Sequence, residues 1–172
     1  MAEKRVPVLY LDLDGTVRHG KDELGRFVNG PEDVVVFPEA TEMMRRWKAL
    51  GGRIVGVSNQ GGIALGHLTM AACAASMMRT YELTDRLMDK IVWCRHHPAA
   101  ADPEMARCWC RKPSPGLIIE AAHDLAAAHP GETYPPHLAL MAGDRPEDRE
   151  CARMARINFV WAPDWRAEAG RG

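Results

Sequence analysis

The sequence predicts an α/β domain built on a parallel five-stranded sheet with helices on both faces. Three observations carry this. Short, nearly continuous apolar runs recur at about 6–11, 53–58, 90–94, 138–142 and 157–161, the pattern of strands buried on both sides. Between them lie segments whose apolar residues repeat at helical spacing. Their alternation calls for right-handed crossovers, which bring every strand's carboxyl end to one edge. The architecture expected is Rossmann-like, and 172 residues suit a single domain over 1–172.

The first run ends in Asp12 and Asp14, followed by Gly15 and Thr16. Extended backbone puts both carboxylates on one side, at the edge where open α/β sheets bind ligands. Two close carboxylates suit a hard cation such as Mg2+. Residues 17–36 mix charge and glycine around one apolar run starting at Val34, and read as a hairpin or flap. Pro38 opens a helix with Ala40, Met43, Met44, Trp47 and Leu50 on one face, and Gly51 and Gly52 end it. The second strand runs into Ser58, Asn59 and Gln60 and a glycine pair, a polar turn. Thr69 is the expected N-cap of a helix reaching about Met88.

The third strand leads into an irregular segment over 94–113, rich in Cys, His, Pro and Arg. Pro115 and Gly116 open a helix to about His129, burying Leu117, Ile118, Ala121, Ala122 and Leu125. A loop over 130–136 precedes the fourth strand, which ends in Gly143 and Asp144. Pro146 starts the last predicted helix, carrying Asp148, Cys151 and Met154. A polar tail follows the fifth strand.

A formal net charge of −1 gives no global basic field to recruit nucleic acid. Arg18, His19, Lys21, Arg26, Arg95, Arg107 and Arg111 leave a local patch open. No apolar run approaches a membrane span, and no signal-peptide pattern opens the chain. The expectation is a cytoplasmic monomer without membrane contact. The five cysteines, mostly clustered, fit a reducing compartment and a metal site better than a disulfide framework.

The strand ends thus collect Asp12 with Asp14, Ser58 with Asn59, Arg111 with Lys112, and Asp144 with Asp148. One chemistry uses them all. A carboxylate attacks phosphorus, and a carboxylate-held metal offsets the phosphate's charge. A hydroxyl, backbone N–H groups and a lysine hold the equatorial oxygens. A second aspartate protonates the leaving oxygen and then activates water. Separately, Cys94, His96, Cys108 and Cys110 form a C-x-H…C-x-C set on one loop. Three thiolates and an imidazole make a closed tetrahedral zinc site, structural because no position stays open. Zinc would order a loop too poor in apolar residues to order itself. Cys73 and Cys151 lie on helix faces as small buried hydrophobes.

With these residues in this order, the chain resembles the haloacid dehalogenase (HAD) superfamily of phosphatases. Asp12 to Thr16 resembles its first motif, Ser58 to Gln60 the second, Lys112 the third, and Gly143 to Asp148 the fourth. Residues 58–63 and 94–116 resemble its zinc-loop branch, the heptose bisphosphate and histidinol phosphate phosphatases. The resemblance implies a HAD-like fold with Asp12 as nucleophile, Asp14 as acid/base and Lys112 as the catalytic cation. It places Thr16, Ser58, Asn59, Gln60, Arg111 and Arg145 at phosphate and substrate. It puts Mg2+ on Asp12, the Asp14 carbonyl and Asp144, with Asp148 behind them, and Zn2+ on Cys94, His96, Cys108 and Cys110. His96 is taken over the neighbouring His97 because the family's first His has that role.

No insertion flanking Ser58 is long enough for a cap domain, so the site is expected to be open, edged by a flap (about 17–36) and a zinc loop (about 94–112). Leu13 and the segment 20–36 depart from the zinc-loop branch. The expected reaction is Mg2+-dependent hydrolysis of a small phosphorylated metabolite, a sugar phosphate or bisphosphate or histidinol phosphate. One alternative is a polynucleotide 3′-phosphatase, with Phe159, Trp161 and Trp165 stacking on bases. Another is a non-catalytic zinc-stabilised binding module, against which Asp12, Asp14, Lys112 and Asp144 all argue.

Overall fold

The computed structural model describes residues 3–21 and 27–171. Five strands form the central sheet: β1 (Val8–Leu11), β2 (Arg53–Asn59), β3 (Lys90–Cys94), β4 (Leu140–Gly143) and β5 (Asn158–Trp161). Their order is β3-β2-β1-β4-β5, and every neighbouring pair is parallel. The order reverses at β1, so ligands are expected beyond its carboxyl end. The helices that flank the sheet are α1 (Pro38–Ala49), α2 (Met70–Leu83), α3 (Gly116–Ala128), α4 (Pro146–Met154) and α5 (Ala162–Ala167), and one further helical turn, Pro103–Ala106, lies in the loop after β3. The α/β architecture expected from the sequence is the one observed.

Strand alternation divides the core. Val8 and Tyr10 pack with Val55, Val57, Leu117, Ile118 and Cys151 against α3 and α4. Leu9 and Leu11 pack with Met44, Ile54, Cys73, Met77 and Trp165 against α1, α2 and α5. Both faces of β1 are therefore buried, which explains its uninterrupted apolar run. Cys73 and Cys151 are buried within these clusters, as expected.

Several expectations need correction. α2 starts as predicted, with Thr69 Oγ1 accepting from the Ala72 N–H at 3.1 Å. It stops at Leu83 instead of near Met88, because Asp85 and Arg86 take positive φ. Leu50, expected on the buried face of α1, is 78% exposed beyond its end. The 130–136 loop contains Glu132–Thr133, which pairs in parallel with Lys4–Arg5. The fourth strand begins two residues late, after a 3-10 turn over Pro136–Leu138. The polar tail is ordered instead: α5 buries Trp165, and Arg46 donates to the carbonyls of Glu168 and Ala169.

Of the flap, Arg18–His19 pairs antiparallel with Val35–Val36, the hairpin the sequence suggested. Its residues 22–26, Arg26 among them, lie outside the described residues. Among the described residues, no helix is long and apolar enough to cross a membrane.

Candidate active site

The carboxyl end of β1 carries the centre of the site. Backbone N–H groups of Thr16, Val17 and Arg18 all donate to the Leu13 carbonyl, curling the chain sharply after Asp14. Gly15 makes this possible with φ +92°, and a Cβ there would lie 2.2 Å from Asp144 Oδ2. Only glycine admits both the turn and the close approach of Asp144.

Asp12 is 6% exposed. Its Oδ1 accepts from Lys112 Nζ at 2.5 Å, and its Oδ2 from Thr16 Oγ1 at 3.2 Å. Lys112, 3% exposed, also meets Asp148 Oδ1 at 2.7 Å and donates to the Val57 carbonyl at 2.8 Å. Burial opposes its charge, but the carboxylates of Asp12 and Asp148 more than offset this and hold the ammonium well above its ordinary pKa. Burial dominates at Asp12 and pushes its carboxyl up to about 7, with Lys112 pulling the other way and Asp148 adding to the rise.

Asp12, Asp144 and Asp148 each place a carboxylate oxygen within 4.8 Å of the others. Asp144 Oδ1 is buried without a hydrogen-bond partner among the described residues. Burial, then the charge of Asp148, raises its pKa. A buried acceptor left without a donor is costly, and a hard cation satisfies it. The residues present fit a bound Mg2+.

The zinc-loop residues also converge. Cys94 Sγ lies 3.5 Å from His96 Nδ1, 3.6 Å from Cys108 Sγ and 3.3 Å from Cys110 Sγ, and Cys110 Sγ lies 3.4 Å from His96 Nδ1. Ligand bonds of about 2.0–2.3 Å give a tetrahedron with edges of about 3.3–3.8 Å. The four side chains fit one zinc ion. His97 points elsewhere, into the neighbouring cavity.

That cavity, about 430 Å³, opens over Asp12 and Asp14. Ser58, Asn59, Gln60, Arg111, Lys112 and Arg145 line it, with Phe27, Leu65, His67 and His97 beside them. Thr16, expected at the phosphate, is fully buried behind Asp12 and donates to it. The Asn59 side chain is occupied with Lys112: its Nδ2 donates to the Lys112 carbonyl and its Oδ1 accepts from the Lys112 N–H, both at 3.0 Å. Arg111 Nη1 donates to the His96 carbonyl at 3.0 Å, and its N–H to Cys108 Sγ at 3.4 Å. The cysteine-rich loop and the cavity wall are therefore one unit.

No protein-family model matches the chain. Curated relatives do. It is 34% identical over 167 residues to the D-glycero-β-D-manno-heptose-1,7-bisphosphate 7-phosphatase of Salmonella typhi, covering 90% of this chain and 78% of that one. The Escherichia coli K12 enzyme of the same name is 32% identical over 164 residues, covering 90% and 77%. The chain belongs to this heptose bisphosphate phosphatase family. It is a phosphatase. A solved structure, D,D-heptose 1,7-bisphosphate phosphatase from B. bronchiseptica complexed with magnesium and phosphate, shares the fold with a TM-score of 0.71. It is 23% identical and covers 90% of this chain and 79% of its own.

Two groups of this phosphatase escaped the sequence reading. Arg166, in the supposed tail, donates to the carbonyls of Gly15 and Thr16 at 2.9 and 2.8 Å and stacks 4.1 Å over Phe37. Nothing local in the sequence points to it. Arg18 was assigned to a surface patch but is 1% exposed and points inward to Asp14. The stacking aromatics of the nucleic-acid alternative are also spent in the fold. Trp165 is core, and Phe159 packs edge-on against Trp161.

Proposed function

We propose that this phosphatase hydrolyses a small sugar phosphate or bisphosphate through a phosphoaspartyl intermediate on Asp12. The observation that carries the reading is the placement of Asp12 at the cavity floor, 2.5 Å from a lysine that is itself braced by Asp148. Lys112 and Ser58 face the phosphate's non-bridging oxygens, where charge spreads in the transition state. Asp14 gives a proton to the leaving oxygen and later takes one from the attacking water. Mg2+, held by Asp12, the Asp14 carbonyl and Asp144, would neutralise phosphate charge as the carboxylate approaches. Arg111, Arg145, His67 and His97 on the walls suit an anionic substrate, and Phe27 and Leu65 suit the carbon face of a sugar.

The test is phosphate release with Mg2+ from heptose 1,7-bisphosphate, other sugar phosphates, histidinol phosphate, nucleotides and 3′-phosphorylated oligonucleotides. The expected result is the highest kcat/KM on a sugar phosphate or bisphosphate. Preference for histidinol phosphate or an oligonucleotide end would overturn the substrate assignment.

Zinc at Cys94, His96, Cys108 and Cys110 has a structural task in this reading, since it leaves no position for water. Elemental analysis is expected to find about one zinc per chain. Cys108→Ser is expected to lose zinc and to lower turnover about a hundredfold through misplaced Arg111 and Lys112, at a displacement of about 1 Å. Added Mg2+ should restore nothing. Wild-type kinetics in a zinc-free variant would leave the loop an ordinary connection.

A further inference from the structure

We propose that Arg18 is a positioning residue that pins one oxygen of Asp14 and leaves the other as the proton-transferring atom. The inference rests on the acid/base role of Asp14 given above. Arg18 lies wholly inside the protein, between the Asp14 turn and α2. Its Nε donates to Asp14 Oδ1 at 2.9 Å. Its Nη1 donates to the Ser76 carbonyl at 3.1 Å and to Thr80 Oγ1 at 2.7 Å. Thr80 in turn donates to the Ser76 carbonyl at 2.8 Å. The guanidinium is thus fixed from two directions, and a planar fork held at several points has little freedom to turn.

The two oxygens of Asp14 are held unequally. Oδ1 faces the buried arginine. Oδ2 accepts from Gln60 Nε2 at 2.7 Å, with Ser58 Oγ at 3.5 Å, and both of those residues line the cavity. Gln60 Nε2 has a second acceptor in Ser58 Oγ at 2.8 Å, so an arriving ester can displace it from Oδ2 without leaving it unpartnered. An ester reaches Oδ2 from the cavity, whereas Oδ1 stays on Arg18. When Asp12 attacks, the bond from phosphorus to the leaving oxygen breaks. Its electron pair stays on that oxygen and takes the proton from Asp14 Oδ2. When water attacks the phosphoaspartate, the phosphorus–Asp12 bond breaks, Asp12 departs as carboxylate, and the water's proton returns to Oδ2. Oδ1 remains on Arg18 throughout.

First-turnover kinetics test this with an alkyl phosphate, whose leaving oxygen needs a proton, and a nitrophenyl phosphate, whose leaving oxygen does not. Arg18→Gln is expected to slow first-turnover release from the alkyl ester about a hundredfold, the lower end for a lost general acid. Nitrophenolate release should stay within about threefold of wild type, with KM unchanged. Arg18→Lys keeps a cationic donor and should recover at least tenfold of the alkyl loss. Equal loss on both esters, or none on the alkyl ester, would overturn the proposal. Should Arg18→Gln fail to fold, Thr80→Val loosens the same guanidinium without removing its charge, and is read by the same split. A crystal structure of whichever variant folds supplies an arm independent of turnover. Asp14 Oδ1 is expected to leave its place, and an unmoved carboxylate would refute the pinning. A wild-type protein that hydrolyses no ester would sink the phosphatase mechanism, while that crystallographic arm still decides the placement of Asp14.

Discussion

Asp12→Asn is expected to lower turnover by at least about 10⁴-fold while leaving the fold intact. A carboxamide oxygen is a poor nucleophile toward phosphorus, so no phosphoaspartate forms, and that loss equals about 5.5 kcal/mol of barrier. Asparagine has the shape of aspartate: its single carboxamide oxygen can still accept from Lys112, which bonds to Asp12 Oδ1 at 2.5 Å, while its Nδ2 donates to the Thr16 hydroxyl in place of the 3.2 Å bond that Oδ2 accepted. Burial already works against the charge of Asp12, so its removal should change stability little. Phosphate release and thermal unfolding measure the two parts. Acid-quenched wild type should carry a phosphoryl group on the Asp12 peptide, and the variant none. Activity within tenfold of wild type would assign the attack to another group.

Lys112→Met should damage both stability and rate. Lys112 separates two buried carboxylates, Asp12 and Asp148, with contacts of 2.5 and 2.7 Å. Removing the cation leaves like charges facing each other inside the protein, at a cost of roughly 3–5 kcal/mol. Its loss from the phosphate is expected to lower kcat about 10²–10³-fold.

The pH dependence follows from the sign of the Asp12 shift. Its folded carboxyl sits up at about 7 against an ordinary 3.8. Between those values the folded state holds more protons than the unfolded chain, so this group's contribution to stability falls as pH rises. Without Lys112 that rise grows. The stability gap between wild type and Lys112→Met, measured with chelator present, should be small near pH 4 and widest above pH 7. A gap that does not change with pH would mean that Lys112 is not what balances these carboxylates.

Much of the site was legible because its parts sit at strand ends. A strand announces itself by a local apolar run, so the residue that ends it can be named without knowing the fold. Asp12, Ser58 and Asp144 were named that way, and parallel topology brings their strand ends to one edge; Lys112 follows the long loop after the third strand, which ends at Cys94. The C-x-H…C-x-C set was legible by ligand type and spacing, and the four ligands do converge. Side-chain assignments within the site were less legible. Thr16 and Asn59 were expected to face the phosphate, yet one hydroxyl turns back to Asp12 and one amide is tied to the Lys112 backbone. Short polar side chains bond whichever donor or acceptor the packing offers, and a local pattern does not encode that choice.

Local periodicity and residue chemistry specify the five strands of the parallel sheet, the four helices between them and the polar groups at the strand ends. Contacts across long separations come only with the packed fold. Lys112 reaches Asp12 across 100 positions, and Arg166 reaches Gly15 across 151. Arg18 shows the difference most clearly. In the sequence it is one more cation beside a charged flap. In the fold α2 closes over it, removes it from water and leaves it the Asp14 carboxylate as partner. Burial turns a surface charge into a fixed one, since a charge without solvent must keep its counter-ion in place.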